Sequence, residues 1–251
     1  MHTINNDHTR LAIEQEATER SPRRRYGMTA KLLFRTVDVL YGRRRSLPKF
    51  VVLELVARVP YQTWEHAAYL AITRHAGETR RARRIYERVC SARAQQDNEQ
   101  WHLFILEDML EHQGVRLSTF RYRVVPQLLA HVYYVVAGLM YLVRPAWSYR
   151  LNADFEDHAE HEYMAFVAEH PELESTRCSC TVADDYGCAD SFADVLRQIA
   201  LDERAHKEES LIELERLAST GGHRWRLCAL VVGAVVALLV GIALVGGGGL
   251  G

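Results

Sequence analysis

The chain has 251 residues, with 31 Lys and Arg against 32 Asp and Glu and a formal charge of −1. So even a balance excludes the bulk electrostatic pull that nucleic-acid binding needs. The length allows one well-packed domain with appendages, and 48% hydrophobic residues are enough to fill its core.

Residues 1–28 are polar and lack an apolar signal core, so they read as a largely disordered lead-in. Glu14, Glu16 and Glu19 argue against a mitochondrial presequence, which is poor in acids, and favour a bacterial origin. Leu32, Leu33, Phe34, Val37 and Leu40 form an apolar stripe that predicts a helix over 29–41. Leu47-Pro48 interrupts it. The next helix begins near Lys49, carries Glu54 and meets a possible kink at Pro60. Residues 78–113 read as one long amphipathic helix, closed by Gly114 at a natural C-cap position.

Residues 120–143 are mostly apolar and stop at Arg144-Pro145. A helix over 147–169 follows and ends before Pro171. Residues 171–189 form a loop with Cys178, Cys180 and Cys188, a spacing that fits no standard zinc site and reads as free thiols in a reducing compartment. Ser191 caps a last bundle helix reaching about residue 218. Beyond Gly221-Gly222, the segment 224–246 contains an uncharged run from Leu227 to Gly246. At about 1.5 Å per residue that run is long enough to cross a bilayer. Arg224 and Arg226 at its start place the preceding domain on the cytoplasmic side. Arginine clusters at 23–25, 43–45 and 80–84 suit either an anionic membrane surface or a solvated basic face.

Strand signals are nearly absent, so the fold class is all-α. It divides into the lead-in 1–28, a four-helix-bundle domain over 29–220 and the anchor 224–246. The apolar helix 120–143 could span the membrane, lie in its plane or be buried in the bundle. A spanning helix there would put the helices on either side of it on opposite faces of the bilayer. An in-plane helix avoids that conflict.

Two Glu-x-x-His pairs, Glu99/His102 and Glu203/His206, lie in separate helical segments. Residues three apart on a helix share a face, so each pair can offer a carboxylate and an imidazole to one metal. The pattern alone is weak, and its context gives it force. Glu54 sits within Phe50-Val51-Val52-Leu53-Glu54-Leu55-Val56, where a bare carboxylate costs several kcal/mol unless paired, protonated or metal-bound. Glu156 gives the remaining helix its own inward glutamate. Four carboxylates and two imidazoles on four helices are the ligand set of a di-iron or di-manganese centre in a ferritin-like bundle.

Several blocks carry a further likeness. Asn98-Glu99-Gln100-Trp101-His102-Leu103 resembles the Asn-Glu-Arg-Met-His-Leu block of alternative oxidases. Leu53-Glu54-Leu55-Val56-Ala57-Arg58-Val59-Pro60 resembles their Leu-Glu-Thr-Val-Ala-x-Val-Pro block. Tyr141-Leu142-Val143-Arg144-Pro145, followed by Phe155-Glu156 through Tyr163, is similar to their Tyr-Leu-x-Ser-Pro and acidic stretch. Asp202-Glu203-Arg204-Ala205-His206 resembles their Asp-Glu-Ala-His segment. The likeness spans about residues 30–215, in the family's order.

The resemblance implies a membrane-bound quinol oxidase that reduces dioxygen to water at a non-haem di-iron centre without pumping protons. Two iron ions would be held by Glu54, Glu99, His102, Glu156, Glu203 and His206. Tyr163 would stand near the metals as a redox or proton relay, with Asn98 and Asp202 orienting the ligating histidines or the tyrosine. Lys49 and Leu53 would line the quinol pocket, Lys49 replacing an arginine. The family is monotopic and dimeric, so membrane lipid and a second copy are expected beside quinol and dioxygen. A bacterial inner membrane, with the catalytic domain on its cytoplasmic face, is the expected location. Departures cluster on the reductant side. Glu156-Asp157-His158 interrupts an acidic triplet, placing His158 near the site as a possible extra base. Glu162 replaces a threonine, and Lys207 a histidine. The family's loop tryptophan has no clear match, Tyr186-Gly187 being nearest. The alternatives are a di-iron hydroxylase resembling demethoxyubiquinone hydroxylase and a non-catalytic ferritin-like iron-binding membrane protein.

Overall fold

Helix ends fall close to the breakers in the sequence. The computed structural model describes residues 7–177, 186 and 191–219. The cysteine loop, apart from Tyr186, and the segment 224–246 lie outside those residues. All elements named here are helical: α1 His8–Arg20, α2 Met28–Tyr41, α3 Leu47–Ala57, α4 Val59–Arg74, α5 Thr79–His112, α6 Val125–Val143, α7 Pro145–Glu169 and α8 Phe192–Ser219. Among the described residues the only β-type pairing is an isolated bridge between Arg177 and Ser191.

Pro60 breaks what would be one long helix. Its ring lacks the N–H for the Val56 carbonyl, so α3 stops at Ala57 and α4 restarts with Pro60 in its first turn. At the end of α5, Gly114 takes φ +66, and Val115 N–H reaches back to the Leu110 carbonyl at 3.0 Å. That left-handed closure is what a glycine permits. Ser191 caps α8 by accepting the Asp194 N–H at 3.2 Å.

Helices α3, α5, α7 and α8 enclose the core, in which Val52, Ile105, Leu106, Met109, Met164, Leu196 and Ile199 are buried. Helix α6 lies along this bundle against α3, α4 and α7. It approaches α4 closely at Gly138, where a β-carbon would come within 3.3 Å of the Thr63 methyl. Its other face is bare, with Leu128 and Val132 more than 60% exposed. The stretch Phe120–Val143 is long and apolar enough to cross a membrane. The end of α2 joins the same corner, where Tyr41 donates to the Arg121 carbonyl at 2.8 Å.

The polar composition of residues 1–28 predicts a largely disordered segment, yet α1 is a capped helix docked on α7 and α8. The periodicity that should reveal it is nearly all polar, with Leu11, Gln15 and Thr18 as its buried stripe. Hydrogen bonds do most of the docking. Gln15 donates to the Met164 carbonyl (3.1 Å) and accepts from Arg197 (2.8 Å). Thr18 donates to Glu160 (2.9 Å), while Arg204 reaches both Glu14 and Glu160. Behind α1, Glu162 on α7 pairs with Arg23 at 2.8 Å and Arg45 at 3.1 Å.

Leu11→Ala should cost about 2–5 kcal/mol in denaturant unfolding; an unchanged midpoint would mean α1 does not dock. The Glu162 carboxyl gives a pH test. Burial alone would raise its pKa, but the hydrogen bond from Arg23 and the positive charges of Arg45 and Arg23 outweigh that and hold it low. A depressed carboxyl contributes stability that is fully present above its unfolded value of about 4.3 and is lost as pH falls through the folded value. Glu162→Gln should therefore flatten the acid limb of the stability curve below about pH 4.3. A variant that loses stability with acid as steeply as the parent would exclude this role.

Candidate metal centre

Each of four helices brings one carboxylate to the middle of the bundle: Glu54 from α3, Glu99 from α5, Glu156 from α7 and Glu203 from α8. One turn along α5 and α8, His102 and His206 reach the same space. None of the six is more than 5% exposed. His102 Nδ1 lies 3.1 Å from Glu203 Oε1 and 3.5 Å from Glu54 Oε2. His206 Nδ1 lies 2.9 Å from Glu99 Oε1 and 3.4 Å from Glu203 Oε2. Two sets emerge whose donor atoms all lie within 4.8 Å of one another: Glu54, Glu99, His102 and Glu203, and then Glu99, Glu156, Glu203 and His206. Glu99 and Glu203 belong to both.

The donor atoms themselves show that these residues fit metal. Glu54 Oε2, both oxygens of Glu99, His102 Nδ1, Glu156 Oε2, both oxygens of Glu203 and His206 Nδ1 are buried with no hydrogen-bond partner. Leaving even one such atom unmatched costs about 1–3 kcal/mol, so eight in one place demand another partner. Two donors bound at right angles to one cation at about 2.1 Å lie roughly 3.0 Å apart. The closest nitrogen–oxygen contacts here, 2.9 and 3.1 Å, match that edge.

Electrostatics agree. Burial, reinforced by neighbouring carboxylates, pushes the Glu99 and Glu156 carboxyls well above the usual range. Glu203 would also rise through burial, but the imidazoles of His102 and His206 close beside it bring it down to about 2. Without cations the cluster must therefore take up protons, and bound metal removes that need.

Other side chains hold the donors from behind. With Nδ1 facing the cluster, His102 turns Nε2 to Asp202 Oδ2 at 3.3 Å. Asn98 and Gln198 each donate to Asp202 at 3.0 Å, and Tyr186 donates to it as well. The Tyr163 hydroxyl donates to Glu54, and its ring stacks on Phe50 at 4.3 Å. Tyr61 donates to Glu156 Oε1 at 2.7 Å and is itself fixed by Asn152 at 3.0 Å. Lys49 and Leu53 are both buried on α3, but the Lys49 ammonium closes on Asp38 at 2.6 Å. His158 stacks on Phe34 at 4.0 Å, and burial lowers its pKa to about 4. Lys207 points to Asp157 and Glu160.

Sequence reasoning missed Tyr61 and gave Tyr186 no role. Tyr61 follows the helix break at Pro60 directly, which is the one local signal that could have marked it. Tyr186 comes from a loop, where no helical spacing applies. Because Asp202 orients His102, Asp202→Asn should weaken ferrous or manganous ion binding about 10–100-fold with helix content preserved. Metal titration followed by circular dichroism checks this, and parental affinity would show that the Asp202 contact is dispensable.

The family profile described as alternative oxidase matches residues 10–211. The chain is also 31% identical over 135 residues to ubiquinol oxidase 4, chloroplastic/chromoplastic, of Arabidopsis thaliana, an alignment covering 54% of this chain and 35% of the relative. It thus spans little more than a third of that relative's length. The family match over residues 10–211 contains all six buried donors, and the chain belongs to the alternative oxidase family.

Proposed function

We propose that this protein is a quinol:dioxygen oxidoreductase whose Glu54, Glu99, His102, Glu156, Glu203 and His206 would hold two irons. The observation that carries the reading is the convergence of eight unpartnered, buried donor atoms from these side chains. Oxygen and imidazole donors without thiolate suit iron, and family membership supports both the metal and the substrate pair. The di-iron group supplies the redox chemistry that passes electrons from quinol to dioxygen. Two quinols furnish the four electrons and four protons needed to make two waters.

The remaining residues govern protons and orientation. Tyr163 keeps its proton on a hydrogen bond to Glu54, where it can relay charge beside the centre. Tyr61 holds Glu156, while Asp202, steadied by Asn98, fixes which nitrogen of His102 faces inward. Lys49 and Leu53 line the quinol approach on α3. The bare apolar face of α6, with the exposed Leu32 and Val39 of α2, lies in the plane of the membrane surface, in contact with lipid and with a second copy of the chain. The segment 224–246 anchors the bundle domain from the cytoplasmic face of a bacterial inner membrane.

Membranes containing the protein should consume oxygen with reduced quinone in the presence of cyanide, at two quinols per dioxygen. Glu203→Ala and His206→Ala should each lose this activity and the stoichiometric iron. Normal oxygen uptake in either variant would overturn the site, and a coupled hydroxylated product would identify a hydroxylase instead.

A further inference from the structure

A cavity of about 490 Å³ opens between α4, α5 and α8, within the size range of small-ligand sites. Its floor is apolar. Trp64 and Tyr149 pack ring to ring at 4.3 Å, and Ala68 and Ala71 of α4 line the wall beside them. The Trp64 indole N–H is already donated to Ser148 at 2.9 Å, so the floor offers ring surface and methyl groups.

The rim is cationic. Arg81, Arg84 and Arg88 follow one another on α5 at spacings of three and four, which puts them on one helix face above this floor. Two acids also line the cavity. Glu213 is paired outside it, with Arg216 at 3.2 Å, and Glu209 accepts from the neutral Ser91 (2.9 Å) and Gln95 of the same wall. Arg81 has Glu78 at 3.5 Å, but among the described residues neither Arg84 nor Arg88 has an ion-pair partner.

Arg81, Arg84 and Arg88 outnumber the two acids of the lining, and two guanidiniums without an ion-pair partner beside an aromatic and alanine floor match a ligand with an anionic head and an apolar body. Guanidinium forks favour carboxylate and phosphate oxygens over other anions. We infer that this cavity binds an anionic amphiphile, a carboxylate or phosphate monoester head on a single acyl chain. The head lies on Arg84 and Arg88, and the chain crosses Trp64 and Tyr149. The floor is also one ring from the metal centre. Trp64 meets Tyr61 edge to face at 5.3 Å, and Ser210 of the cavity wall is joined through Asn152 to the same Tyr61 hydroxyl.

Binding is tested on the purified full chain in neutral detergent, without reference to oxidase activity, by the quenching of tryptophan emission with a brominated fatty acid. Saturable quenching is expected, weakened at least tenfold in the Arg84→Ala/Arg88→Ala variant, whose exposed positions leave the core intact. Trp64→Phe should remove most of the quenchable emission. Lysophosphatidic acid and oleate, as competitors, separate a phospholipid from a free fatty acid as the source of the ligand, and displacement by either supports the site. Equal affinity for the uncharged methyl ester, parental affinity in the double arginine variant, or displacement by inorganic phosphate at the concentration that suffices for oleate would each overturn the inference.

Discussion

Four carboxylates facing one another inside a hydrophobic bundle form the constraint around which this protein is arranged. Among the described residues no arginine or lysine pairs with Glu54, Glu99, Glu156 or Glu203; their charged neighbours are His102, His206 and each other. A buried cluster of that kind is tolerable in two ways, by protonation or by divalent cations. Eight buried donor atoms without a hydrogen bond, drawn from four carboxylates and two imidazoles, fit the second. Much of the surrounding architecture keeps those donors aimed. A helix can hold a carboxylate and an imidazole three residues apart without strain, and four rigid helices fix the set more tightly than loops could.

Three of the six donor residues are held from behind by other side chains. Glu54 carries Tyr163, Glu156 carries Tyr61, and His102 carries Asp202 with Asn98, Gln198 and Tyr186 behind it. Each support takes one atom of the donor, leaving the other free to face inward. The division is visible within single side chains: Glu54 Oε1 accepts from Tyr163 while Oε2 is unpartnered, and Glu156 divides its two oxygens the same way between Tyr61 and the cluster. Glu99 and Glu203, the two shared residues, have no such support, so both of their oxygens remain available. That is the distribution two adjacent cations require.

Much of this arrangement is legible in the amino-acid sequence, for physical reasons that differ by element. Glu-x-x-His on α5 and α8 is visible because three-residue spacing on a helix means one face. Glu54 stands out because a carboxylate amid six apolar residues has no inexpensive explanation. Gly114 and Ser191 end and begin helices through local backbone chemistry alone. The signals that fail are equally specific. Helix α1 buries Gln15 and Thr18 beside a single leucine, so hydrophobic periodicity is silent about it. Tyr61 and Tyr186 act through hydroxyls whose partners lie 95 and 16 residues away in the chain, distances that no local pattern encodes.

The charges on the outer face of α7 also explain why α1 is docked where it is. Glu162 and the interrupted acidic run at Asp157-His158 leave the outer face of α7 with an unusual set of charges. Arg23 meets Glu162, Arg24 meets Asp154, and the backbone N–H of Arg24 meets Asp157, so the stretch of chain after α1 neutralises that face directly. Lys207 covers Asp157 and Glu160 from α8, and Arg204 joins Glu160 to Glu14 of α1. His158 avoids adding charge by staying neutral in its stack with Phe34. The changes in α7 and α8 and the docking of the N-terminal helix therefore form one electrostatic arrangement, in which each part supplies the counter-charge that the other lacks. Buried pairs of this kind stabilise little in net terms, but removing one member leaves its partner desolvated and unmatched. That asymmetry ties a polar N-terminal helix to the bundle with little apolar packing.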